Sequence, residues 1–113
     1  MKIELESHRN ENGSATLMIK GEIDMNSSTR VRARLTDLFQ SDQNMIVVDL
    51  SGVSYIDSSG IATLVEGLQW SHNSKKIFRL TGLTPMVRDV FEIARLLTVF
   101  EVYDSKEEAL KEA

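Results

Sequence analysis

The run from Met45 to Leu50, MIVVDL, constrains the fold of this chain more than any other sequence feature. It is nearly continuous in apolar and β-branched residues, which is typical of a strand buried on both faces inside a parallel sheet. Parallel strands cannot be joined by tight turns, so crossover segments, usually helices, must link such a strand to its neighbours. The run therefore predicts an α/β domain.

Turn and capping residues divide the rest of the chain into short strands and helices. The predicted strands are Ile3 to His8, Ala15 to Ile23, Met45 to Leu50, Lys76 to Leu80 and Thr98 to Tyr103, with a hairpin turn at Asn10 to Gly13. The predicted helices are Thr29 to Gln40, Asp57 to about Asn73, a third that starts at Thr84 and Pro85, and a short one opened by the capping box Ser105 to Glu108. Ser51 to Asp57 is expected to be a connection. This order predicts a mixed, mostly parallel sheet of about five strands.

The strand patterns also predict how the sheet is covered. Arg79 and Glu101 alternate with apolar neighbours in the later strands, as Lys20 and Glu22 do in the second. We therefore expect one sheet face to be exposed to solvent and the helices to lie mainly on the other face. The predicted core residues are Leu17, Ile19, Val47, Leu50, Ile61, Leu64, Val65, Leu68, Phe78, Leu80, Val87, Val90 and Phe91.

Length and composition set further bounds on function. A chain of 113 residues is the size of one domain, so we expect a single domain over residues 1–113. The formal net charge of −4 argues against nucleic acid and anionic membrane as main partners, because both require clustered basic charge. The first residues lack the apolar stretch of a signal peptide, and the chain has no cysteine, so we expect a cytoplasmic protein.

The sequence contains few residue patterns that indicate a catalytic or cofactor site. The only histidines, His8 and His72, are expected at a strand end and in the last turn of a helix, where structural or solvent roles suffice. No phosphate-binding glycine motif occurs, since Leu68 follows Gly67 where a lysine would be needed. We therefore predict no catalytic residue, no metal site, no cofactor and no enzymatic activity.

The segment Asp57-Ser58-Ser59-Gly60 is the strongest candidate for a functional site. It joins a buried strand's connection to a helix N-terminus, at the rim of the sheet where α/β domains place functional groups. A phosphate on a hydroxyl there would be favoured by the helix dipole and by unpaired backbone N–H groups. Ser and Asp are common at helix starts, so the pattern alone is explained more readily by plain N-capping of the helix, and both interpretations stay open.

The sequence resembles the bacterial anti-sigma factor antagonists of the STAS domain family. The resemblance is carried by Gly21-Glu22-Ile23-Asp24, the strand Met45 to Leu50, Asp57 to Ile61 and the turn Leu80 to Pro85, and it extends over the whole chain. It implies an α/β fold with helices mostly on one face of the sheet. Ile61-Ala62 stands where the best-studied members have Leu-Gly.

The resemblance also implies a partner switch. In that family the dephosphorylated protein binds an anti-sigma factor, which is a serine kinase with a histidine-kinase-like ATPase fold. The kinase phosphorylates the serine that matches Ser58, the complex dissociates, and a PP2C-type phosphatase resets the system. Asp24, Asp57, Ser59, Gly60 and Ile61 are then expected to surround the phosphorylation site.

Two alternatives from other classes remain open. The chain could be a STAS subunit of a larger stress-sensing or lipid-transport assembly, in which Ser58 need not be modified. It could also be a small enzyme or ligand-binding domain that holds an anion at the same helix N-terminus. Co-purification of a kinase-like ATPase would favour the partner switch, whereas co-purification of a larger scaffold would favour the first alternative. A melting temperature that shifts with nucleotide alone would favour the second.

Overall fold

The computed structural model describes residues 3–10 and 12–111. Its elements, in chain order, are β1 (Ile3–Arg9), β2 (Ser14–Ile23), α1 (Ser28–Phe39), β3 (Met45–Ile56), α2 (Ser58–Ser74), β4 (Ile77–Thr81), α3 (Pro85–Ile93), β5 (Glu101–Tyr103) and α4 (Lys106–Ala109). Glu11 of the predicted hairpin turn lies outside the described residues, as do the first two and last two residues of the predicted domain.

The strands form one five-stranded sheet in the order β1-β2-β3-β4-β5. β1 pairs with β2 in antiparallel fashion, and the other three pairs of neighbours are parallel. The predicted α/β class with a mixed, mostly parallel sheet is confirmed. Because β2, β3, β4 and β5 run in the same direction, their carboxyl ends share one edge of the sheet and their amino ends the opposite edge.

The main core lies between one face of the sheet and α1, α2 and α3. Leu35, Leu64 and Phe91 from these helices pack in one cluster with Val48 and Leu50 of β3, and all five are fully buried. Of the predicted core, the buried members are Leu17, Ile19, Val47, Leu50, Leu64, Phe78, Leu80, Val87 and Phe91. The other four, Ile61, Val65, Leu68 and Val90, are partly buried and pack against the cluster.

The helices lie mainly on one face of the sheet, as predicted, but the opposite face is not wholly exposed to solvent, and that part of the prediction was wrong. α4 covers part of it, so that Met45 and Val47 are buried in a small second cluster with Ala109. Arg79 is only 4% exposed. Its guanidinium donates to the Glu101 carboxylate over 3.0 Å and to the Ala109 carbonyl over 3.1 Å. A charged residue in an alternating strand is thus buried beneath the last helix, with its charge paired.

Two predicted boundaries were also wrong. Ser51 to Asp57 is not a connection, because β3 continues to Ile56 and pairs with β2 beyond the point where β4 ends. A bulge in this pairing brings Gly52 against Lys20, and a Cβ on Gly52 would lie 2.7 Å from the Lys20 side chain. The last strand begins at Glu101 rather than at Thr98.

Candidate functional site

The candidate site is built where β2 and β3 end side by side. Ile23 and Ile56, the last residues of these strands, are paired, and the Asp57 N–H donates to the Ile23 carbonyl over 3.1 Å. Asp24 and Asp57 therefore leave the sheet together at its carboxyl edge. The parallel pairing is what brings two loops that are distant in the sequence to one place.

Asp57 is the N-cap of α2. Its Oδ1 accepts from the Ser59 N–H at 2.9 Å, the Gly60 N–H at 3.2 Å and the Ser59 hydroxyl at 2.6 Å. The Ser59 hydroxyl is the main reason that the pKa of Asp57 is lowered, and the N–H groups of Gly60, Ser59 and Met25 act in the same direction against partial burial. The carboxylate is thus held ionised and is occupied in capping the helix.

The two serines of the motif lie in different environments. Ser59 is partly buried and its hydroxyl is committed to Asp57. Ser58 is the first residue of α2 and is exposed. Its hydroxyl makes no hydrogen bond to any other residue that the structure describes. Of the two hydroxyls, that of Ser58 is therefore accessible to another protein.

Asp24 organises the loop beside the motif. Its Oδ1 accepts from the N–H groups of Asn26, at 2.9 Å, and of Ser27, at 3.1 Å, which closes the turn before α1. The Ser27 hydroxyl donates to the Glu22 carbonyl over 2.7 Å and fixes the other side of the turn. This turn carries Met25, whose N–H contributes to the lowered pKa of Asp57. Asp24 thus acts on the site through the loop it orders.

Gly60 lets the start of α2 lie directly against the end of the sheet. A Cβ at this position would be 2.7 Å from Ile56 Cγ1, 2.8 Å from Ile23 Cγ2 and 3.1 Å from the Ile23 carbonyl oxygen. The next residue, Ile61, is partly buried and packs against the core. The glycine of the motif therefore has a steric role, and Ile61 anchors the helix more than it offers a surface.

Two apolar side chains at this edge had no sequence signal as site residues. Met25 is 77% exposed and Tyr55 is 40% exposed. A methionine in a loop is ordinarily a surface or gap-filling residue, and Tyr55 lies in the segment predicted to be a connection. Their position beside Asp57 follows only from the pairing of β2 with β3. The exposed residues at this edge of the sheet, Met25, Tyr55 and Ser58, are here called the switch surface.

The residues considered for other chemistry are dispersed. His8 lies on β1 and contacts Glu6 at 3.3 Å, with both side chains more than half exposed. His72 is exposed in the last turn of α2. Within residues 3–10 and 12–111, no three acidic or histidine side chains are grouped as metal ligands would be. Over the same residues, no helix combines the length and the apolar character needed to cross a membrane.

The fold recurs in solved structures of anti-sigma factor antagonists. One, from Mycobacterium paratuberculosis, superposes with a TM-score of 0.88 at 21% identity, covering 96% of this chain and 92% of its own. Another is the Bacillus cell fate determinant SpoIIAA in its phosphorylated form, with a TM-score of 0.74, 19% identity and coverage of 95% and 96%. At these identities the likeness shows the fold.

Sequence relationships agree with the structural ones. The chain is 26% identical over 113 residues to the anti-sigma F factor antagonist of Paenibacillus polymyxa, covering 99% of this chain and 94% of the relative. The STAS domain family matches residues 3–109. This match spans both strand ends, the capped helix and the sheet described above, and the chain belongs to the STAS domain family.

Proposed function

We propose that this chain is an anti-sigma factor antagonist whose binding to its partner is switched by phosphorylation of Ser58. The observation that carries the proposal is the contrast between the exposed Ser58 hydroxyl and the Ser59 hydroxyl, which is held by Asp57 at 2.6 Å. The relative from Paenibacillus polymyxa, an anti-sigma F factor antagonist, supports the class of partner, and the phosphorylated form of SpoIIAA supports the modification.

The phosphate is expected to change the fold very little. It adds roughly −1.5 to −2 charges at the first residue of α2, where the helix N-terminus favours an anion by about 0.3–1 kcal/mol. The ionised carboxylate of Asp57, one residue away, opposes it. Because Ser58 is exposed, the new charge stays hydrated in the unbound protein. Favourable and unfavourable contributions therefore nearly cancel.

In a complex the same charge is much more costly. Met25 and Tyr55 are exposed at the same edge of the sheet as Ser58, and we expect a partner that binds this edge to cover all three side chains. An unpaired charge buried in an interface costs roughly 3–5 kcal/mol. Since about 1.4 kcal/mol corresponds to a tenfold change, we expect phosphorylation to weaken binding by two to three orders of magnitude.

The partners follow from this role. The anti-sigma factor is expected to be a serine kinase with a histidine-kinase-like ATPase fold. The partner that binds around Ser58 is then also the enzyme that phosphorylates Ser58. A PP2C-type phosphatase would restore the hydroxyl. In this proposal the chain is a cytoplasmic regulator, contributes a binding surface and an acceptor, and has no enzymatic activity of its own.

Site mapping with the kinase-like anti-sigma factor tests the acceptor. The purified chain, Ser58→Ala and Ser59→Ala are incubated with this kinase, ATP and magnesium, and the phosphate is located by mass spectrometry. We expect label on Ser58 in the parent and in Ser59→Ala, and none in Ser58→Ala, which should still bind the kinase. Ser59→Ala is the matched control, because it removes the neighbouring hydroxyl. Label on Ser59 in the parent would overturn the assignment.

A further inference from the structure

A second exposed apolar surface lies at the opposite edge of the sheet from Ser58. Residues 92–99, here called the distal patch, contain the end of α3 and the turn that leads towards β5. Ile93 is 85% exposed, more than any other large apolar side chain among the described residues, and Val99 is 51% exposed. Because this turn enters β5 at its amino end, it lies away from the carboxyl ends of β2 and β3.

Hydrogen bonds fix the shape of the distal patch. The Leu96 N–H donates to the Phe91 carbonyl over 2.8 Å and the Arg95 N–H to the Glu92 carbonyl over 3.0 Å, a pattern that ends α3 in a Schellman motif. Arg95 has a φ of 58°, the left-handed conformation that such a motif requires and that glycine usually supplies. The backbone therefore presents Ile93 and Arg95 in a defined arrangement.

The patch carries complementary features that can pair with themselves. Glu92, Arg95, Leu97 and Thr98 line an open depression of about 400 Å³. Ile93, which follows Glu92 as the last residue of α3, is exposed. Glu92 and Arg95 are exposed, are opposite in charge, and form no ion pair with another residue that the structure describes.

We propose that the distal patch binds a second copy of this chain in a twofold-symmetric dimer. In such an interface each contact occurs twice with the roles exchanged. Ile93 of each copy fills the depression of the other, and Glu92 of each copy pairs with Arg95 of the other. A patch that carries one acidic and one basic group at its rim satisfies this symmetry, whereas a rim of a single sign would repel itself.

The geometry gives the dimer a consequence for function. The distal patch and the switch surface lie at opposite edges of the sheet, so self-association leaves both copies of Ser58 exposed. A dimer then offers two binding sites at once, and this bivalency raises its apparent affinity for any partner that is itself a dimer. The dimer does not depend on the proposed switch, because association is measured on the chain alone.

Sedimentation over a wide range of concentration tests the proposal. We expect the parent chain to shift from monomer to dimer and Ile93→Glu to stay monomeric while melting at the parent's temperature, since Ile93 is exposed. Met25→Glu is the matched control: it places the same charge on an exposed apolar residue at the other edge and should dimerise like the parent.

Charge inversion tests the symmetry. Glu92→Arg and Arg95→Glu should each raise the dissociation constant by about tenfold or more, because two attractive pairs become repulsive. An equimolar mixture of the two variants should associate again, since each inverted charge then meets an opposite one. A parent chain that is monomeric at every concentration, a dimer that persists in Ile93→Glu, or a mixture that does not associate would each overturn the proposal.

Discussion

Gly60→Ala adds one methyl group where the start of α2 lies against the end of the sheet. That methyl would lie 2.7 Å from Ile56 Cγ1 and 2.8 Å from Ile23 Cγ2, well inside van der Waals contact. Both isoleucines are at most 2% exposed, and Ile23 also places its carbonyl oxygen 3.1 Å away. Neither neighbour can move into solvent, so the start of α2 must shift away from the sheet.

Two opposing effects set the size of the change. Forcing a methylene-sized group into a packed core costs about 1–3 kcal/mol. Replacing glycine by alanine within a helix stabilises it by up to about 1 kcal/mol, and by less in the first turn, where Gly60 lies. The steric cost is larger, so we expect Gly60→Ala to lower the free energy of unfolding by roughly 0.5–2 kcal/mol.

Urea unfolding measures this difference in unfolding free energy. Ala62→Gly is the matched control for the helix-propensity effect. Ala62 is exposed in the same helix, so its replacement reports the helix-propensity effect without steric contact. We expect Gly60→Ala also to bind the anti-sigma factor more weakly, because the shift moves Ser58 relative to Met25. If Gly60→Ala were as stable as the parent, the steric role of this glycine would be refuted.

The remaining predictions concern the fold and the absence of turnover. Asp57→Ala should lower the unfolding free energy by about 0.5–2 kcal/mol in urea, whereas Asp57→Asn, which keeps the capping oxygen, should lose less. Because folding lowers the pKa of Asp57, the ionised carboxylate stabilises the fold at pH values above the ordinary carboxyl pKa. This stabilisation is lost as the pH falls through the lowered pKa. In an acid titration, Asp57→Asn should lack this loss of stability. Phe91→Ala, at a fully buried position, should cost about 3–5 kcal/mol by the same urea measurement. Lys75→Gly should raise the melting temperature, with a gain of about 1 kcal/mol, because Lys75 ends α2 at a φ of 59°. The purified chain with ATP and magnesium should neither release phosphate nor label itself, and self-labelling at Ser58 would contradict its role as a pure acceptor.

Local sequence signals predicted the element order because each signal depends on nearby residues. Asp57 caps α2 and Ser105 caps α4, each within one turn of helix; at α4 the Glu108 side chain accepts from the Ser105 hydroxyl, so only the serine half of the predicted capping box forms. Thr84 shows the limit of such a signal. It precedes Pro85 and α3 as expected, but its hydroxyl donates to the Val53 carbonyl over 2.8 Å instead of capping the helix. A competing acceptor from another strand is invisible in the sequence around Thr84.

The features that were missed depend on contacts between distant segments. Ser51 and Gly52 have the composition of a turn, yet they continue β3 because β2 offers a partner along its whole length. Arg79 has the polarity of a solvent-facing residue, yet the carbonyls of Ala109, at the end of α4, and of Lys111, just beyond it, accept from its guanidinium. Met25 and Tyr55 lie at one edge of the sheet only because β2 and β3 end side by side.

Calorimetric binding to the kinase-like anti-sigma factor measures whether phosphorylation of Ser58 switches the interaction. The titration compares the unmodified chain, the same chain stoichiometrically phosphorylated on Ser58, and Ser58→Ala as the control that cannot be modified. We expect the unmodified chain and Ser58→Ala to bind with similar affinity. The phosphorylated chain should bind about two to three orders of magnitude more weakly while melting at nearly the same temperature. Equal affinity of the phosphorylated and unmodified chains would contradict the switch.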